Sequence, residues 1–171
     1  KCELNYSKDY ELLIAVMLSA QTTDKRVNEV TKVLFSKYPT LETLSKSNIS
    51  DLKKIIYPLG TYTKKSKNII DIANSLINIG RTVPNDRNFL ESLSGVGRKT
   101  TNVVLSILYN EPCIAVDTHV ARVSKRLGFA SKNDDVLKIE KKLTKIIPKN
   151  KMNKAHHQLV LFGRYYCTAR N

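Results

Sequence analysis

LSGVGRKTTNVV, residues 93–104, joins two apolar-patterned segments through Gly95 and Gly97, with Arg98 and Lys99 directly behind them. A tight turn between two helices is the simplest reading. Glycine tolerates positive φ, and without a Cβ it lets backbone approach a ligand closely. The helix that follows, over about residues 98–109, opens with N–H groups that have no intrahelical partner and with the positive end of its dipole. Such a terminus binds phosphate, and Arg98 and Lys99 add charge beside it. Contacts of this kind, from Gly95, Val96, Gly97, Arg98 and Thr100, hold a nucleic acid backbone without reading its sequence. By itself G-x-G is weak evidence, since two glycines also serve simply to end one helix and start the next.

Helical spacing continues outward in both directions. DYELLIAVMLSA (9–20) opens at Asp9 as an N-cap and is apolar nearly all round, so it belongs in the middle of a fold. Asp24 as a cap places Val27, Val30, Leu34 and Tyr38 on one helix face. Short helices follow after Thr40 and after Ser50, and Gly60 breaks the chain. A long helix over 63–79 ends at Gly80, where a left-handed residue belongs. Pro84-Asn85-Asp86 opens a short helix through Leu93, and Asn110-Glu111-Pro112 ends the helix of the glycine turn. Asp117 opens a helix closed by Gly128; residues 134–147 and 153–167 supply two more. No segment alternates like a half-buried strand. The expected fold is all-α, about ten helices in two lobes: 1–112, carrying the hairpin, and 113–171.

The 171 residues hold 29 Lys and Arg against 15 Asp and Glu, a net charge of +14, which suits a polyanionic partner. Lys-rich chains also carry such an excess without one. The longest apolar run, LLIAVML (12–18), falls short of the roughly 18 residues of a membrane span, and no membrane partner is expected. No targeting signal is evident, although the chain starts at Lys1 without Met, as a trimmed chain would. Cys2, Cys113 and Cys167 are odd in number and far apart, which fits a reducing compartment better than a disulfide framework. His156 and His157 are adjacent, about 100° apart on a helix. With no H-E-x-x-H present, a metal-dependent hydrolase is disfavoured. One of these histidines is expected to pack inward and the other to meet solvent or a bound nucleic acid. Arg164, Tyr165 and Tyr166 follow on the same helix, where an aromatic pair more often belongs to a core.

Two residues suggest chemistry. Lys99 stands in the first turn of its helix, and Asp117 opens the next one after a short return. Each has a bland role available, as a solvated lysine and as an N-cap. Partial burial and a helix N-terminus both disfavour a charged amine, and a neutral amine forms Schiff bases at sugar carbons. A nearby carboxylate steadies a positively charged sugar transition state.

LSGVGRKTTNVV followed by IAVDTHVARV closely resembles the endonuclease III family of helix-hairpin-helix DNA glycosylases. The resemblance extends to LLIAVMLSAQTTDKRVN, LGTYTKKSKNI and HHQLVLFGRYYC, in order along essentially the whole chain. It implies base excision repair: removal of oxidised pyrimidines from duplex DNA, then cleavage of the abasic site by β-elimination. It casts Lys99 as the nucleophile on C1′ and Asp117 as the carboxylate that assists attack and base loss. Gln21 takes the family position that fills the gap left by the extruded base. Asp24 matches a position near the pocket, with an N-cap role equally open, and His119 stands in the family's D-T-H as a supporting residue. The partner implied is double-stranded DNA with damaged bases or abasic sites, met by a monomer in the cytoplasm or at the nucleoid of a bacterium.

Three departures stand out. The hairpin's usual proline is Ser94, a tolerable change if the glycines set the turn. The wedging leucine of many relatives is Thr61, a smaller and more polar wedge. Cys167 matches the first of four cysteines that hold an iron–sulfur cluster in relatives, and the other three would lie beyond Asn171. One thiolate cannot hold a cubane cluster, so either the chain is cut short, leaving the second lobe incomplete, or this form lacks the cluster. The alternatives are a helix-hairpin-helix binding module without chemistry, which would need neither Lys99 nor Asp117, and a glycosylase of the same superfamily acting on a purine lesion.

Overall fold

The computed structural model describes residues 3–170; Cys2 lies outside them. Among the described residues there are ten α-helices, two short 3-10 segments and no strand, which is the all-α architecture expected. They form two compact units, one ending at Thr100 and the other starting at Thr101. The division therefore falls inside the hairpin's second helix and not at the 112/113 boundary read from the sequence. From Thr101 onward that helix is tied to the segment that follows it: the buried Asn102 amide donates to the Ile114 carbonyl at 3.0 Å.

In the first unit, α1 (Asp9–Leu18) is buried from Tyr10 to Leu18. Packed against it are α2 (Asp24–Lys37) and α5 (Tyr62–Asn78), and α5 also meets α3 (Leu41–Ser45) and α4 (Ile49–Ile56). Leu13, Ile14, Leu34, Leu52, Ile72 and Leu76 are fully buried. Each such side chain contributes about 1.5–3 kcal/mol relative to exposure.

Three helix starts differ from the sequence reading. Asp9 is not the cap of α1 but its first residue; its carboxylate reaches across the unit to the Val83 N–H at 2.7 Å. Glu11 instead takes the Ser7 and Lys8 N–H groups, at 2.7 and 3.2 Å. Thr23 caps α2 by accepting from Arg26 N–H, and Asp24 is the first helical residue, where its charge favours the dipole. α4 starts before Ser50, because the Asn48 side chain accepts from both the Ser50 and Asp51 N–H groups.

The hairpin is α6 (Arg87–Ser92), capped by Asp86, then the turn, then α7 (Arg98–Tyr109). Leu93 and Val96 are buried, and the Val96 N–H donates to the Leu93 carbonyl at 3.1 Å. Gly95 is left-handed, with φ +77°, and a Cβ on it would overlap the Asn68 amide of α5. Ser94 donates through its hydroxyl to Asp71 of α5 at 3.0 Å. A proline could not make that bond, so this chain holds its turn by a side-chain hydrogen bond in place of a fixed φ.

The second unit packs α8 (Thr118–Arg126), α9 (Val136–Ile146) and α10 (Met152–Tyr165) around Ile114, Val116, Val120, Ile139, Leu143 and Met152. α8 and α10 approach closely at Gly163, where a Cβ would lie 2.8 Å from that of His119. Tyr165 and Tyr166 are 67% and 74% exposed, so the aromatic pair is not core. They sit where α10 ends, and Tyr166 stacks on the exposed Phe162, with ring centroids 5.9 Å apart.

Gly95→Ala should destabilise the chain by about 1–3 kcal/mol, the cost of a non-glycine residue held left-handed. Gly97 does not adopt positive φ, and a methyl group placed on it would meet nothing within 4 Å; Gly97→Ala should leave the urea midpoint unchanged. Equal midpoints for the two variants would contradict this account of the turn.

Candidate active site

At the mouth of α7 the two glycines have different duties. Gly95 is demanded by the fold, whereas Gly97 has open space beside it. A small residue that no neighbour requires, placed at a helix N-terminus, leaves the N–H groups of the first turn accessible to an anion. Val96 faces inward and uses its N–H within the turn, so it anchors the hairpin. Arg98 and Lys99 are exposed and Thr100 is half-buried. Lys99 is therefore not partly buried, as expected from sequence; its amine extends from the second residue of α7 into solvent.

Gln21 and Thr61 lie in two turns of the first unit. Both are exposed, and both are left-handed, at φ 62° and 44°. Neither is a glycine, and each such residue carries roughly 1–3 kcal/mol of backbone strain. Asp24 is half-buried at the start of α2, just past the Gln21 turn.

In the second unit, Asp117 caps α8, its Oδ1 accepting from the Val120 N–H at 2.8 Å. No other described residue donates to this carboxylate. The residues before it, Ile114 to Val116, are buried, so the cap is anchored on a packed segment. His119 packs against Gly163, and its Nδ1 lies 3.2 Å from the Arg122 guanidinium. Arg122 also donates to the Gly163 and Cys167 carbonyls at 2.7 and 3.0 Å, which satisfies the end of α10. Arg126, one turn on, donates to the Thr168 carbonyl at 2.7 Å and contacts the Cys167 sulfur at 3.2 Å.

Sequence reading missed the supports. Lys65, Asn68 and Asp71 follow each other at three-residue spacing on α5, beside its buried stripe of Ile69, Ile72, Ala73 and Leu76. Lys65 bonds carbonyls beside the two strained turns, Asn68 lies under Gly95, and Asp71 bonds Ser94. The signal available was a polar row at helical spacing flanking an apolar face. Asn102, a buried amide in α7 beside Val104 and Leu105, was the comparable signal there.

Known proteins resemble the chain over nearly its whole length. Residues 14–149 match the model of the HhH-GPD superfamily of base excision DNA repair proteins. The chain is 48% identical to endonuclease III of Bacillus subtilis, covering 100% of this chain and 78% of that protein. It is 50% identical to the Rickettsia felis endonuclease III, covering 99% and 80%. The chain belongs to the endonuclease III family. Among solved structures it superposes on a trapped endonuclease III–DNA covalent intermediate with a TM-score of 0.96 at 49% identity, covering 100% of this chain and 81% of that one. A non-covalent endonuclease III–DNA complex matches with the same score and identity.

The resemblance implies an iron–sulfur cluster held in part by Cys167. No group of three or more His, Cys, Asp or Glu gathers among them to hold a metal ion. Cys167 meets Arg126, and Cys113 is a separate half-buried thiol. His156 and His157 are both half-buried, against the expectation of one inward and one outward ring, and burial pushes the His157 imidazolium below the usual histidine range. Among the described residues no helix is long and apolar enough to cross a membrane.

The cap and the proposed chemistry of Asp117 are separable. Asparagine caps a helix as well as aspartate does, whereas alanine costs about 1 kcal/mol. Asp117→Asn should therefore keep wild-type stability and Asp117→Ala should lose about 1 kcal/mol, measured by urea unfolding. If Asp117→Asn were as unstable as Asp117→Ala, the carboxylate's charge, and not its cap, would be the structural element.

Proposed function

We propose that the chain removes oxidised pyrimidines from duplex DNA through a Schiff base on Lys99 and then cleaves the abasic strand. As a member of the endonuclease III family it is a base excision DNA glycosylase with AP lyase activity. The observation that carries the mechanism is the open mouth of α7. Gly97 leaves the helix N-terminus accessible, and the Lys99 amine projects from the same turn. The covalent protein–DNA intermediate of the related endonuclease III supports a nucleophilic route.

The steps balance on two side chains. Backbone N–H groups of the α7 mouth, with Arg98, hold phosphates of the lesion strand. Gln21 and Thr61 enter the duplex as the damaged nucleotide leaves the stack. The Lys99 nitrogen gives its lone pair to C1′ while the C1′–N bond to the base breaks. The base departs with that electron pair and takes up a proton. Asp117 accepts the proton lost from the attacking amine and stabilises the cationic sugar. The C1′–O4′ bond opens to an iminium as O4′ takes the proton back from Asp117; C2′ then loses a proton to water, a C2′=C3′ double bond forms, and the C3′–O bond breaks with its electron pair, releasing the 3′ phosphate. Water then hydrolyses the imine and restores the amine.

Two consequences follow from the placement of these groups. The Lys99 amine lies in water before DNA arrives, so its desolvation must come from the bound substrate. Asp117 has one oxygen committed to Val120, which fixes the other in direction for use on the sugar. Cys167 would be one of the four thiolates of a cluster in a chain that supplied three more. A single copy of the protein acting at chromosomal DNA suits this substrate.

Borohydride trapping on a duplex with one oxidised pyrimidine tests the reading directly. Wild type should give a covalent protein–DNA band that Lys99→Gln abolishes, and Asp117→Asn should slow its appearance by about 10²-fold or more. Trapping on abasic DNA alone would overturn the base preference, and no trapping with tight DNA binding retained would leave a binding module. Affinity for an abasic duplex should also fall steeply with salt, each neutralised phosphate adding about 0.9 to the log–log slope. A flat salt profile would show that the +14 charge is not used on phosphates.

A further inference from the structure

Lys65 is 4% exposed, the one buried cation among the described residues. Its ammonium donates to the Ala20 carbonyl and to the Leu59 carbonyl, each at 2.9 Å. Its own N–H donates to the Thr61 carbonyl at 3.1 Å. Among the described residues no carboxylate pairs with it, and burial pushes the ammonium below the usual lysine range. A charge buried without a counter-ion is unfavourable, and a methionine of similar length would fill the same space without that penalty. What offsets that cost is the pair of carbonyls the ammonium holds.

What it holds is specific. Ala20 directly precedes Gln21, and Leu59 comes two residues before Thr61. Both Gln21 and Thr61 are exposed and left-handed, a state that persists in non-glycine residues only where the surroundings impose it. Thr61 has no side-chain cap bond of its own to steady it. One ammonium thus fixes the distance between two strained, outward-facing turns.

We infer that Lys65 is a positioning residue for base extrusion, clamping the Gln21 and Thr61 turns into one preformed edge that enters the duplex. The inference rests on the proposed function, in which these two turns face DNA. With the clamp in place, ordering of both tips is complete before DNA binds, so it does not slow the extrusion step. Phosphate contacts at the α7 mouth and the amine of Lys99 do not depend on it.

The test compares the full chain with its Lys65→Met variant on two substrates. One is a duplex with a single oxidised pyrimidine, which requires extrusion. The other is a single-stranded abasic oligonucleotide with borohydride, which requires only the amine. Lys65→Met should trap on the single strand at the wild-type rate and excise from the duplex about tenfold more slowly or worse, in kcat and not in KM. 2-Aminopurine beside the lesion should report correspondingly slower unstacking. In a Gln21→Ala background Lys65→Met should add little, because the clamp acts through that turn.

Wild-type excision from the duplex by Lys65→Met would overturn the inference. So would an equal slowing on both substrates, which would make Lys65 a support for the whole fold, or effects of Lys65→Met and Gln21→Ala that multiply within about twofold. Gln21→Ala excising from duplex as fast as wild type would instead overturn the DNA-facing reading beneath it, and the clamp with it. If Lys65→Met does not fold, Lys65→Gln, whose shorter side chain cannot span both carbonyls, is put through the same duplex-to-single-strand ratio.

Discussion

A single helix, α5, holds the first unit's outward turns. Lys65, Asn68 and Asp71 stand in a row on this helix, and each meets a different part of the chain: the carbonyls before Gln21 and Thr61, the close approach of Gly95, and the Ser94 hydroxyl. The helix itself is anchored by the buried stripe of Ile69, Ile72, Ala73 and Leu76, which Lys65 continues on the same face. Three turns that would be independent in an isolated chain are thereby given fixed positions on one scaffold. Turns are where recognition residues concentrate, and they are useful only when a rigid element places them.

The polar row also shows how a strained backbone is held. Gln21 and Thr61 would relax out of the left-handed region if their neighbours were free to move. Backbone carbonyls bonded to a buried ammonium are not free to move, since breaking those bonds would leave a charge unsolvated in the interior. Strain at the tips is thus maintained by a larger penalty held below them.

In the second unit the same economy applies to Asp117. Its carboxylate closes the start of α8 while one oxygen remains without a protein donor among the described residues. A residue that caps a helix has a fixed χ1 and a fixed direction, so the structural duty serves orientation. Arg122 and Arg126 act at the other end of this unit by satisfying the carbonyls at and beyond the end of α10.

The helices themselves were legible in the sequence. Apolar spacing and Gly80, Gly128 and Asp86 located most starts and stops, because caps and periodicity are local properties. The hairpin, and the helix that Asp117 caps, were legible for the same reason: their residues lie close together in the chain. Local competition also explains the misreadings. Asp9, Asp24 and Ser50 are all plausible caps by type, and only the folded backbone showed that Glu11, Thr23 and Asn48 reach the open N–H groups. The exposure of Tyr165 and Tyr166 and of Lys99 was likewise decided by what packs around them, not by residue type. What no local pattern could supply was the set of long-range bonds. The Lys65 ammonium meets a carbonyl from far along the chain, and Ser94 meets Asp71, because tertiary packing carries those segments to α5. Sequence by itself determined which groups could do chemistry; the tertiary structure decided which of them are held, since burial and hydrogen bonding between distant segments exist only once the core has formed.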